Sequence, residues 1–255
     1  MSQVSSHRLE IKDLTVAYHR VPAVHHVNME LHCGHCVGLL GPNGAGKSSL
    51  FKALVGLVPK ETGTVAFGGH GKEGADRDIA YLPQRSMIDW DFPITVRGLV
   101  EMGRYMRLGS WKRFGKDDAE AVDQALANMD LCDLADRQIS ALSGGQQQRA
   151  FLARALAQKA HVFLLDEPFT GLDKPAQDLL SQTIRKLASA GNLVIASHHD
   201  LKSVPDLFDQ VIFLNGELIA FGPTGEIFTQ QNISRTFQTP IFSGEHAGAV
   251  EPHKI

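Results

Sequence analysis

Apolar and polar positions alternate along the first sixty residues. LEIKDLTVAY, from Leu9, and VNMELH, from Val27, keep a period of two, which predicts strands with one face toward water. CVGLL, Cys36 to Leu40, is a short unbroken apolar run and predicts a buried parallel strand. A glycine-rich loop follows, Gly41 to Ser49, and the period then lengthens. SSLFKALVGL, from Ser48, places Leu50, Leu54 and Leu57 on one helix face. GTVAFGG and DIAYLPQ predict two further strands, the second ending at Gln84.

From about Arg85 to Leu142 helical spacing takes over. TVRGLVEMGRYM sets Val96, Leu99, Val100 and Gly103 on one face behind Thr95 as N-cap. DDAEAVDQALANM repeats the pattern with Val122, Ala125, Leu126 and Met129. Buried-strand runs return in HVFLLDEP and NLVIASHHD, and QVIFLNGELIAFG predicts a hairpin turning at Asn215-Gly216. The tail, residues 243–255, is polar. The pattern is that of an α/β domain, with a strand-rich core over 8–84 and 160–230 and a helical insertion over 85–159.

Composition narrows the function. The 255 residues are 43% hydrophobic and 21% charged, which is ordinary for a globular chain with a real core, and the formal net charge of -3 does not advertise a nucleic-acid partner, for which a basic face is expected. No apolar run approaches the roughly 18 to 20 residues of a membrane span, and the N-terminus lacks a signal-peptide apolar segment. A cytoplasmic chain is expected, one that meets a membrane only through a partner. The three cysteines, Cys33, Cys36 and Cys132, argue against a disulfide framework. CGHC has redox spacing but leads into an apolar strand, so its cysteines are expected to be structural. Twelve histidines are present, none at zinc-site spacing.

The chemistry lies in the loops. Gly41, Pro42, Asn43, Gly44, Ala45, Gly46, Lys47 and Ser48 spell G-x-x-x-x-G-K-S between a strand and a helix, with Ser49 next. Backbone N–H groups of Gly44 to Ser48 can wrap a β-phosphate at the helix N-terminus. Lys47 can reach the β- and γ-phosphates, and the Ser48 hydroxyl can ligate Mg²⁺. The strand VFLLDE ends in Asp166, placed to bind Mg²⁺ through water, and Glu167, placed to act as general base on the attacking water. Gln84 ends another strand, where its amide can touch the metal or the water. His199 can hydrogen-bond the γ-phosphate, while His198 should face the other side of the strand. Tyr18 can stack on adenine or fill a strand end in the core. LSGGQ, Leu142 to Gln146, opens a second helix in an anion-binding manner. In the segment after Gln84, Trp90 and Phe92 alternate with Asp89 and Asp91. The two rings either anchor a partner or pack into the helical insertion.

Gly41–Ser49, Gln84, LSGGQ, LLDEP, GLD at Gly171–Asp173 and His199 stand in the order found in nucleotide-binding subunits of ABC transporters, and residues 8 to 230 resemble them. The resemblance implies a P-loop NTPase core with a mostly parallel sheet, an N-terminal antiparallel β subdomain and an inserted α-helical subdomain. It implies ATP and Mg²⁺ as ligands. It also implies a second copy paired head to tail, so that LSGGQ of one chain closes over the γ-phosphate held by the other. Ser143, Gly144, Gly145 and Gln146 would complete that site, and Asp173 would couple the two. Two adjacent glycines cost backbone entropy and fit the close approach of a ligand rather than a helix cap. DWDFP-x-[ST]-V followed by MGR is similar to the ATP-binding subunits of manganese, zinc and chelated-iron importers, most of all the manganese members. That implies ATP-driven uptake of a divalent metal ion through integral-membrane permease subunits, with a metal-binding solute receptor, at the cytoplasmic face of the membrane. Other importer cargoes such as haem, siderophore or amino acid are the alternative. A soluble ABC ATPase acting on DNA or ribosomes is more distant, because the chain has neither a long coiled coil nor a second cassette.

Overall fold

The computed structural model describes residues 8–19, 21–68, 78–108 and 113–238. The polar tail, with His246 and His253, lies outside them. Two sheets organise the chain. The first has three antiparallel strands, in the order β2 (Val21–His32), β1 (Arg8–Tyr18), β4 (Thr62–Phe67). The second has six, in the order β5 (Ile79–Leu82), β6 (Val162–Leu165), β7 (Leu193–His198), β3 (Cys36–Leu40), β8 (Gln210–Asn215), β9 (Glu217–Pro223). Its first five strands run parallel and β9 returns antiparallel through the Asn215-Gly216 turn. The unbroken apolar runs are the central strands: every residue of β3, β6 and β7 is buried.

α1 (Lys47–Leu54) follows the glycine loop. It stops before Leu57, contrary to the expected apolar face. Gly56 takes a left-handed φ of 71°, and Leu57 N–H closes on the Lys52 carbonyl at 2.8 Å, which ends the helix. Leu57 is thereby left 66% exposed.

The helical part contains α2 (Val96–Leu108), α3 (Lys116–Asn128) and α4 (Gly144–Ala157). Thr95 caps α2, its Oγ1 accepting from Gly98 N–H at 3.1 Å. Val96, Leu99 and Val100 meet Val122, Ala125, Leu126 and Met129 in a core shared with Phe151 and Leu152 of α4. Gly103 lies so close to α4 that a Cβ there would strike the Arg154 carbonyl. Arg104 is buried beside it, 2.7 Å from Asp118 and donating to the Ala157 carbonyl at 2.8 Å. The MGR run, Met102 to Arg104, thus has a packing reason of its own. α5 (Lys174–Ser189) covers the sheet, and three short helices, α6 (Val204–Leu207), α7 (Thr224–Ile227) and α8 (Gln230–Phe237), close the described chain. No helix among the described residues is long and apolar enough to cross a membrane.

Candidate functional site

Four neighbouring parallel strands, β5, β6, β7 and β3, each end at a residue singled out from the sequence. That end of a parallel sheet is where ligands bind. β3 feeds the glycine loop, whose shape is set by close contacts: a Cβ on Gly41 would strike the Leu214 carbonyl and one on Gly46 the Ala23 carbonyl. Gly46, at φ 90°, is the N-cap of α1, so the loop's amides stand at a helix N-terminus that favours an anion. Lys47 is buried, and its Nζ donates to the carbonyls of Gly41 at 2.8 Å and Pro42 at 2.9 Å. Burial lowers its pKa, while Glu167 and Asp166 pull it back up. A phosphate oxygen is a stronger acceptor than either carbonyl.

β6 leads to Asp166 and Glu167. Ser197 of β7 donates its hydroxyl to Asp166 Oδ1 at 2.8 Å and accepts the Glu167 N–H at 2.7 Å. Tyr81 of β5 approaches Asp166 Oδ2 from the other side at 3.4 Å, and burial raises the pKa of its phenol. Glu167 has φ 49°, a left-handed backbone that costs a non-glycine residue on the order of 1–3 kcal/mol and recurs at functional sites. Its carboxylate accepts from Gln84 Nε2 at 3.1 Å and from Thr170 Oγ1 at 3.2 Å on the same oxygen.

One cleft of about 600 Å³ gathers Tyr18, Ala23, Asn43 to Ser49, Gln84, Glu167 and His199. Gly41 and Pro42 lie at its base as partners of Lys47, and Asp166 is buried behind Glu167. Tyr18 lines the opening and is 43% exposed, so it is not a core tyrosine. His199 faces the cleft, whereas His198 is buried, edge-on to Phe169 and Phe208 and 2.8 Å from Ser203 Oγ. Burial lowers the His198 pKa.

A second cleft, of about 450 Å³, is lined by Ser143, Gly144, Gly145 and Gln146 with Asp173 and Ala176. It shares no lining residue with the first. Ser143 and Gln146 form a reciprocal cap, Ser143 Oγ accepting from Gln146 N–H and Gln146 Oε1 from Ser143 N–H. Asp173 caps α5, its carboxylate accepting from Ala176 N–H at 3.0 Å. The two glycines also have close neighbours within the chain. A Cβ on Gly144 would lie 2.7 Å from Arg85 Nη1, and one on Gly145 would lie 3.1 Å from Ala176 Cβ.

The two aromatics after Gln84 part company. Trp90 packs inward, edge-on to Phe151, and donates to the Arg85 carbonyl at 3.0 Å. Phe92 remains 54% exposed. CGHC is structural, as expected: Cys36 is a buried strand residue whose thiol is pushed up to about 12, by burial first and by Asp209 second. Sequence reasoning missed Ser197, Tyr81, Thr170 and Arg85. Ser197 alone left a trace, as a hydroxyl inside the apolar run VIASH.

The sequence model of the ABC transporter family matches residues 24–170. The manganese transport system ATP-binding protein MntB of Bacillus subtilis is 43% identical over 90% of this chain and 92% of its own length. The zinc transport system ATP-binding protein TroB of Treponema pallidum is 40% identical over 95% and 92%. In three dimensions, a metal-chelate type ABC transporter in an inward-facing conformation superposes with a TM-score of 0.80 and 28% identity, covering 92% of this chain and 90% of that one.

Proposed function

The chain belongs to the ABC transporter family, and on that premise we propose that it is the ATP-hydrolysing subunit of an importer for a divalent metal ion. Manganese is the first choice of cargo and zinc the second. The observation that carries the reading is the first cleft, where a phosphate loop, a strand-end acid pair, a glutamine and a histidine meet.

In this reading the N–H groups of Gly44 to Ser48 receive the β-phosphate. Lys47 exchanges its two carbonyl partners for phosphate oxygens, and Tyr18 offers its ring to the adenine. Glu167 takes the proton of the attacking water, Gln84 orients that water, and His199 hydrogen-bonds the γ-phosphate. The Ser48 hydroxyl, the Asp166 carboxylate and the Gln84 amide are hard oxygen donors of the kind magnesium takes. Among the described residues Asp166 Oδ2 has only the 3.4 Å Tyr81 contact, which leaves it able to accept more. Magnesium held there supplies neutralisation of phosphate charge. The two clefts, having no residue in common, suit a head-to-tail pair in which Ser143 to Gln146 of one copy cover the nucleotide of the other. Asp173, at the edge of the second cleft, would couple the pair.

The permease seat in this reading is an apolar groove of about 400 Å³ between the end of α1 and the Gln84 turn. Val55, Leu57, Pro83 and Met87 line it, and Leu57 and Met87 are each 66% exposed. The helical unit, residues 85–159, begins at this groove, and the subunit would work at the cytoplasmic membrane face. Leu57→Asp combined with Met87→Asp should leave the ATPase of the isolated subunit within about twofold. Manganese uptake by cells carrying the permease should fall about tenfold or more. Unchanged uptake would reject the seat, and uptake outcompeted by zinc at equal concentration would make zinc the cargo.

A further inference from the structure

Gln84 and Arg85 are chain neighbours that face opposite ways. Gln84 holds Glu167 in the phosphate cleft. Arg85 opens the short 3-10 turn to Met87 and directs its guanidinium at the LSGGQ loop. Its Nη2 donates to Gln147 Oε1 at 2.9 Å. Gln147 is buried in the first turns of α4, and its own Nε2 donates to the Ile139 carbonyl at 3.1 Å, so both ends of that amide are fixed. Arg85 Nη1 fills the space beside Gly144, 2.7 Å from where a Cβ would stand, and lies 3.7 Å from the same point on Gly171. The Trp90 ring flanks the guanidinium, with 5.4 Å from Cζ to the ring centroid. The guanidinium therefore stands at the start of α4, beside the turn leading to Asp173 and against the loop that carries Trp90.

Its partners here are an amide and an indole, with two glycines that leave it room. Among the described residues Arg85 forms no ion pair, and it does not line the phosphate cleft. Its rigid fork is used for geometry: Nη2 bonds the Gln147 amide while Nη1 occupies the space left beside Gly144, an arrangement a lysine ammonium does not reproduce. We infer that Arg85 is a positioning residue that ties the LSGGQ loop to the Gln84 turn, so that events at Glu167 set how this chain presents Ser143–Gln146 to a second copy's nucleotide. Any group that replaces one side of the Gln84–Glu167 bond must move Gln84, and Arg85 is attached to it by one peptide unit. A displacement of about 1 Å in such a loop is enough to weaken a shared site strongly. The inference rests on the paired-copy reading above.

The test uses the full chain carrying Glu167→Gln, with Arg85→Met, Arg85→Lys, Gln147→Leu, and Arg85→Met with Gln147→Leu added in turn. ATP affinity is titrated on the same set with Ser143→Arg, which blocks pairing, and ATP-driven pairing is followed by light scattering. ATP affinity of the unpaired chains should stay within about twofold of the parent. The ATP concentration for half-maximal pairing should rise about tenfold in each single variant. Since both residues act through one contact, the double variant should be no worse than Arg85→Met alone. Should Arg85→Met fail to fold, Arg85→Lys and Gln147→Leu still decide the matter. Failure of the parent itself to pair would remove the paired-copy reading. Pairing by the parent and equally by the Arg85 variants would overturn the role of Arg85, as would an equal loss of ATP affinity in unpaired chains or additive effects in the double variant.

Discussion

Lys47 and Glu167 lie within one cleft, and in the proposed function they act at different moments of the reaction. Lys47 meets the nucleotide as it binds, and exchanging two carbonyls for phosphate oxygens favours the ground state. Lys47→Ala should therefore lose about 1.5–3 kcal/mol of ATP affinity, the range of a hydrogen bond to a charged group. Glu167 matters only when water attacks, so Glu167→Gln should bind ATP normally while turnover falls about a hundredfold or more. Equilibrium binding and steady-state ATPase on both variants check this, and near-normal turnover by Glu167→Gln would remove its assignment as base. Both residues were legible from spacing, because the loop motif and the strand-end acids are local in the chain. Ser197 and Tyr81 were not. They flank Asp166 only because β6 lies between β7 and β5, and that strand order is a property of the fold. The left-handed backbone of Glu167 is likewise imposed by its surroundings.

Among the elements, periodicity named the strands and the helices α1 to α3, it left α5 to α8 unread, and it misplaced an end where a terminator competed with it. The apolar spacing of Leu50, Leu54 and Leu57 continued past the end of α1, but Gly56 ended the helix and moved Leu57 from the expected face to the surface groove. Trp90 and Phe92 differ for a related reason. A pattern of acids and aromatics shows an interface-like composition but not which ring finds a partner inside, and Trp90 finds Phe151 and the Arg85 carbonyl. MGR had been grouped with the cargo-class resemblance, and its place at the α2–α4 contact gives it a structural basis as well. Gly103→Ala would force a methyl into the Arg154 carbonyl and should cost roughly 1–3 kcal/mol, as overpacked sites do. Thermal unfolding should show the midpoint lowered by about 2–4 °C per kcal/mol for a domain of this size. An unchanged midpoint would mean that α2 and α4 can separate freely, against the packing described.

At the scale of the whole molecule, residues spread from Tyr18 to His199 come to one sheet end because β5, β6, β7 and β3 are parallel neighbours. The order of motifs made that much legible in the sequence. The separation of the two clefts was not legible, because it depends on how the helical part sits on the sheet. Neither was the Arg85 link between them. We propose that each cleft is half of a site completed by a second copy. Light scattering on Glu167→Gln with and without ATP, alone and with Ser143→Arg added, tests it most directly. ATP should double the mass of Glu167→Gln with two nucleotides retained per pair, and the Ser143→Arg chain should still bind ATP but stay single. An undiminished pair in the double variant, or no pair in the single one, would contradict it.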